Sequence, residues 1–271
     1  MDTPRFSGLR IESSPDDPVA ILVLDRPDNL NALSRVLLAE LTRACRWLDD
    51  EDHIKVVVVR GEGRAFSAGF DLGDFAGPSD GMSVRDTADL GRVAADALTD
   101  VRALTIASIH GHCVGGGLVL AASCDLRVAA DDTRFSIPEV DLGIPLAWGG
   151  IPRLVRELGP AVTKELVLTC RPFDAAEARA LRFVNRVVPA EDLDRTVTAL
   201  ATELAAKPTF ALRTTKQQVN AVTEEIAGTG RSAADADAVV SAVSDPESVE
   251  ASRRYLATRS RSTTEAPSSG H

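Results

Sequence analysis

The chain has 271 residues, with 30 Lys+Arg against 40 Asp+Glu, a net charge of −10 and 44% hydrophobic residues. That acidity excludes a general nucleic-acid binder, which needs a clustered basic face against phosphates. No apolar run approaches the roughly 18 residues of a membrane-spanning helix, so the composition predicts a globular protein that buries its own core.

In chain order, Val19–Leu24 is a β-branched run closed by Asp25-Arg26-Pro27. Residues 34–50 carry Val36, Leu37, Leu38, Leu41, Ala44, Cys45 and Leu48 at the spacing of one apolar helical face, with Ser34 as the N-cap. Ile54–Val59 is apolar throughout, the pattern of a strand covered on both faces. Gly73–Met82, with three glycines and Pro78, reads as a mobile loop. A helix is predicted over 83–103, a strand over Thr105–Ile109, a helix opened by Gly115-Gly116-Gly117, and a strand over Asp125–Ala129. Strands alternating with helices imply an α/β fold with parallel pairing.

The pattern changes near residue 190. Residues 1–190 form the expected core and 191–259 read as helices, broken at Lys207-Pro208, Gly228-Thr229-Gly230 and Asp245-Pro246. The Ser/Thr-rich tail, 260–271, is expected to be disordered. Met1-Asp2-Thr3-Pro4-Arg5 has no secretory pattern and the four cysteines form no C-x-x-C pair, which predicts a cytoplasmic protein without a structural metal.

Three segments can carry chemistry. Residues 61–72 follow a buried strand, and the small residues at Ser67-Ala68-Gly69 let backbone N–H groups approach an anionic oxygen. Ala65-Phe66-Ser67-Ala68-Gly69 is also a loose copy of a nucleophile elbow, with His110 and His112 downstream. The second segment, His110–Leu120, offers N–H groups at a helix start through its triple glycine. It lacks the Lys-Ser/Thr of a P-loop and the spacing of a dinucleotide fingerprint. In the third, Phe135–Gly150, Glu139 stands between Pro138 and Val140. A carboxyl in apolar surroundings is raised in pKa and suits proton transfer near neutral pH.

Together these segments resemble the crotonase (enoyl-CoA hydratase/isomerase) family. Asp25-Arg26-Pro27-Asp28-Asn29-Leu30-Asn31-Ala32-Leu33 is similar to its N-terminal motif, and Ala175–Ala178 with Val184–Pro189 to a later one. The resemblance, spanning about residues 9–260, implies a spiral of ββα units with a helical C-terminal oligomerisation region, as a homotrimer or dimer of trimers. It implies an acyl-CoA thioester substrate, no separate cofactor, and an enolate oxygen held by the N–H groups of Phe70 and Gly116. Ala68, Asp71, Leu72, Leu30, Leu142 and Trp148 are the expected substrate-binding positions. Arg26, Arg64 and Lys216 are candidate cations for the CoA phosphates, which Asp28 would repel. Arg253, Arg254, Arg259 and Arg261 make the far C-terminus locally basic.

Family hydratases align glutamates with positions 119 and 139, and here position 119 is Val. Family dienoyl isomerases place carboxylates at 119, 139 and 147, and its dehalogenases place Asp at 147, where this chain has Ala. The resemblance therefore implies an isomerase moving a double bond from 3-enoyl- to trans-2-enoyl-CoA, with Glu139 as sole acid/base. The alternatives are a hydratase lacking its first glutamate and an acyl-CoA-binding protein with little catalysis. Asp141, two residues from Glu139, is expected to be structural rather than catalytic.

Overall fold

The valine run ahead of Gly61 is buried on both faces because successive side chains of a strand point in opposite directions. The computed structural model describes residues 3–76 and 81–264. Its strands are β1 (Leu9–Glu12), β2 (Val19–Leu24), β3 (Val56–Gly61), β4 (Leu104–Ile109), β5 (His112–Val114), β6 (Leu126–Ala130), β7 (Arg134–Ser136), β8 (Phe173–Asp174) and β9 (Arg186–Val188). One sheet has the order β1-β2-β3-β4-β6-β9, parallel from β2 onward, and β1 is antiparallel to β2. A second sheet has the order β5-β7-β8, with β5 and β7 parallel.

The helices are α1 (Arg35–Asp50), α2 (Leu72–Ala76), α3 (Val84–Asp100), α4 (Gly116–Ser123), α5 (Gly150–Thr169), α6 (Ala175–Ala180), α7 (Leu193–Ala205), α8 (Thr209–Ala227), α9 (Asp235–Ala242) and α10 (Pro246–Thr264). The sequences β4-β5-α4 and β6-β7-α5 are successive ββα units, each giving one strand to each sheet. Val57 and Val59 join a core shared with α1, α3 and α4. Val56 and Val58 pack on the other face with Leu193, Val197 and Leu200 of α7. At roughly 1.5–3 kcal/mol per buried Val or Leu, this two-sided burial fixes the strand.

Ser34 caps α1 by accepting the Leu37 N–H (3.2 Å), and Ser83 caps α3 by accepting the Asp86 N–H (3.0 Å). The strand expected at 125–129 lies one residue later, because the Asp125 carboxylate accepts the Thr105 N–H (2.7 Å) instead of extending the strand. The expected loop at 73–82 begins as helix α2, and residues 77–80 lie outside the described residues. The C-terminal breaks fall between α7, α8, α9 and α10. Of the tail expected to be disordered, 260–264 continue α10, and 265–271 lie outside the described residues.

Candidate active site

Two backbone segments meet at the end of β5. The Leu33 N–H donates to Gly69 O (2.8 Å) and the Asp71 N–H donates to Leu33 O (3.2 Å). The alternation of extended backbone therefore turns the Phe70 N–H to the opposite edge. That edge abuts the β5–α4 junction. A Cβ added to Gly69, whose φ is +88°, would lie 2.7 Å from Val114 O and 3.5 Å from Gly116 N. Only glycine permits this conformation and this approach together.

Asn31 holds the segment in place. It is fully buried at φ +54° and accepts the Arg26 N–H (2.9 Å). Its amide donates to Glu62 O (2.8 Å) and Ala65 O (2.7 Å). Leu30, at φ +51°, accepts the Ala68 N–H through its carbonyl (2.9 Å). Across the junction, Gly116 opens α4, where first-turn N–H groups have no intrahelical partner and no side chain caps them. The positive helix end points the same way.

β7 runs parallel to β5, and the Gly115 N–H donates to Ser136 O (2.9 Å). This pairing carries the turn after β7 to the start of α4. A Cβ on Gly115, at φ +51°, would sit 2.4 Å from Glu139 Oε1. Glu139 Oε2 is buried without a hydrogen-bond partner. Desolvation pushes the Glu139 carboxyl up to about 7. A carboxyl so placed exchanges protons near neutral pH beside two aimed N–H groups.

These groups share a cavity of about 350 Å³ lined by Phe70, Gly116, Val119, Glu139, Ala147 and Trp148. Val84, Thr87 and Ala88 of α3, with Val239 and Val243, form its apolar extension. Arg35 and Asp74 also line it. Asp74 is committed to Arg35, accepting its backbone N–H at 2.7 Å. A second cavity of about 290 Å³ adjoins at Phe70, Glu139 and Ile144, and is lined by Ala68, Asp71, Leu72, Leu142 and Tyr255.

Trp148 is wedged between the glycines. A Cβ on Gly91 would fall 1.9 Å from its ring, and one on Gly116 2.2 Å from it. Its indole N–H donates to Ala88 O (3.1 Å), and its ring meets Phe70 edge-on with centroids 5.7 Å apart. Buried Arg153 donates to the Trp148 and Gly149 carbonyls and pairs with Asp96.

The profile of the enoyl-CoA hydratase/isomerase family matches residues 15–265. The chain belongs to that family. It is 40% identical over 207 residues to a probable enoyl-CoA hydratase of Mycobacterium tuberculosis, covering 76% of this chain and 79% of the relative. It is 35% identical over 218 residues to a peroxisomal Δ(3,5)-Δ(2,4)-dienoyl-CoA isomerase of Arabidopsis thaliana, covering 76% and 78%. The crystal structure of enoyl-CoA hydratase subunit I from Geobacillus kaustophilus superposes with a TM-score of 0.74 at 33% identity, covering 96% of this chain and 93% of that one. The two-sheet ββα architecture is thus the crotonase fold, and the protein is an enzyme of the hydratase/isomerase family.

Several members of the expected site are brought together and others are not. Phe70, Gly116, Glu139 and Trp148 share the larger cavity, and Ala68, Asp71, Leu72 and Leu142 line the smaller one. Leu30 lines neither, and its part is the carbonyl that holds Ala68. The reading of Lys216 as a phosphate-facing cation is corrected. Its ammonium is buried, pairs with Asp125 at 2.8 Å and donates to Ala103 O. Arg26 is likewise engaged, bonding Asp71 at 2.9 Å and the Ala32 carbonyl. Arg64 and Asp28 are exposed. Asp141 is exposed and outside both cavities, as expected.

The nucleophile-elbow alternative fails on geometry. Ser67 is buried, its hydroxyl donates to Asn31 O (2.8 Å) and accepts the Gly69 N–H, and His112 is exposed. Sequence reasoning looked for pocket residues in 73–100 and Leu142–Trp148, which holds for Asp74, Val84, Thr87 and Ala88, but it missed Arg35, Val239 and Val243. Val239 of α9 and Val243, which caps it, carry no signal beyond helical periodicity and become pocket residues only because α9 packs on α3.

Proposed function

We propose that this enzyme moves a double bond in an acyl-CoA thioester, converting 3-enoyl- to trans-2-enoyl-CoA with Glu139 as sole acid/base. The observation that carries the reading is Val119. It lines the same cavity as Glu139, whose Oε2 is buried without a hydrogen-bond partner, and Ala147 and Trp148 add apolar lining. The Glu139 carboxylate takes a proton from C2 of the acyl chain. The electron pair moves into the thioester, and the Phe70 and Gly116 N–H groups hold the resulting enolate oxygen. Protonated Glu139 then delivers that proton to C4, and the double bond comes to rest between C2 and C3. No water enters the balance.

A second reading is hydration of 2-enoyl-CoA without the first glutamate, which the names of the hydratase relatives favour. Hydration would need a group to hold and deprotonate a water where Val119 stands. Val119→Glu is therefore expected to raise hydration of trans-2-enoyl-CoA at least tenfold, since a positioned base contributes about 10²–10⁴-fold. A folded variant that binds acyl-CoA and shows no gain would count against the single-base reading.

The substrate proposed is an acyl-CoA thioester, with CoA part of the substrate and no separate cofactor. Exposed Phe210, Val219, Val222 and Ile226 on α8 support assembly as a homotrimer or dimer of trimers. No described helix is long and apolar enough to cross a membrane. The four cysteines are free thiols, which fits the proposed cytoplasmic location.

A further inference from the structure

Two residues that line the larger cavity each carry a buried side-chain oxygen without a hydrogen-bond partner: Oε2 of Glu139 and Oγ1 of Thr87. The first belongs to the proton-transfer group. The second has no part in the chemistry above. Thr87 sits on α3 between Val84 and Ala88, in the apolar extension of the cavity.

A helical threonine ordinarily satisfies its hydroxyl on the carbonyl four residues back. Thr99 does this on the same helix, donating to Ala95 O at 3.0 Å. Thr87 does not, although its backbone N–H bonds Ser83 O at 3.0 Å. The other polar groups in this part of the cavity are mutually engaged, Arg35 with Asp74 and the Trp148 indole with Ala88 O. A buried hydroxyl left unsatisfied is destabilising, because it gives up its bonds to water and gains none in return. It is a poor choice for a pocket that takes only hydrocarbon, where valine has the same shape.

We infer that Thr87 is a specificity-determining residue: its hydroxyl hydrogen-bonds an oxygen on the acyl chain beyond C3, so that the preferred substrates are acyl-CoA esters bearing a hydroxyl or keto group there. The inference rests on the acyl-CoA reading of the cavity, but not on which reaction follows.

The test uses saturated ligands, which cannot be turned over. Calorimetry on the full chain compares hexanoyl-CoA with 4-, 5- and 6-hydroxyhexanoyl-CoA, for the wild type, Thr87→Val and Thr87→Ser. At least one hydroxylated chain is expected to bind about tenfold tighter than hexanoyl-CoA. Thr87→Val should abolish that preference and Thr87→Ser should keep it. If hexanoyl-CoA binds but no hydroxylated isomer is preferred, or the preference survives Thr87→Val, the inference is overturned while the acyl-CoA reading stands. If hexanoyl-CoA does not bind at all, both fall.

Discussion

Glu139→Gln is expected to lower turnover of acyl-CoA by about 10²–10⁴-fold while leaving saturated acyl-CoA binding within a few fold. The amide matches the carboxyl in shape but can neither take nor give a proton. The wild-type pH profile should report the same group. With the carboxyl at about 7, activity that needs the carboxylate rises as pH increases through that value.

Stability moves the other way. The folded state holds this carboxyl well above its ordinary value of 4.5, so the folded state binds the extra proton between roughly pH 4.5 and 7. The stability contributed is present below that window and is lost as pH rises through it. The loss is of order 3 kcal/mol by pH 8. Glu139→Gln removes the ionisation, so it should unfold at a higher temperature than wild type at pH 8 and show little difference at pH 4.5. A variant that keeps full turnover would mean that another group moves the proton.

Gly69→Ala is the second large effect. Its φ of +88° is strained for any L side chain, and the new methyl carbon would lie 2.7 Å from the Val114 carbonyl, which is backbone and cannot swing aside. The Phe70 segment must back away from Gly116, separating the two N–H groups. Loss of one such donor is worth about 10²–10³ in kcat. The strain adds roughly 1–3 kcal/mol of destabilisation. Steady-state kinetics below the variant's melting temperature should show the fall mainly in kcat. An unchanged kcat in a folded variant would remove the Phe70–Gly116 pair from the mechanism.

Much of the fold is legible in the amino-acid sequence. α1, α3 and β3 were legible because their apolar periodicity is long enough to specify both element and face. The apolar neighbours of Glu139 and the small residues following buried strands marked the segments, but the roles of Glu139, Phe70 and Gly116 came only from the family resemblance. Strands β5, β7 and β8 were not, since two or three residues carry no period. Lys216 was misread for a different reason. Charge type says nothing of burial, and its partner Asp125 is distant in the chain and meets it only when α8 packs on β4. Thr87 looked like any polar residue on a helix until its hydroxyl was seen to decline the ordinary backbone bond.

The central claim is that one carboxyl shuttles one proton within a site that does not hold a reacting water. Product analysis tests it most directly. The purified chain is incubated separately with 3-enoyl-CoA and with trans-2-enoyl-CoA, and the products are separated chromatographically. The account predicts that 3-enoyl-CoA is converted to trans-2-enoyl-CoA faster than trans-2-enoyl-CoA is hydrated. Rapid formation of 3-hydroxyacyl-CoA from trans-2-enoyl-CoA, with 3-enoyl-CoA left untouched, would contradict it.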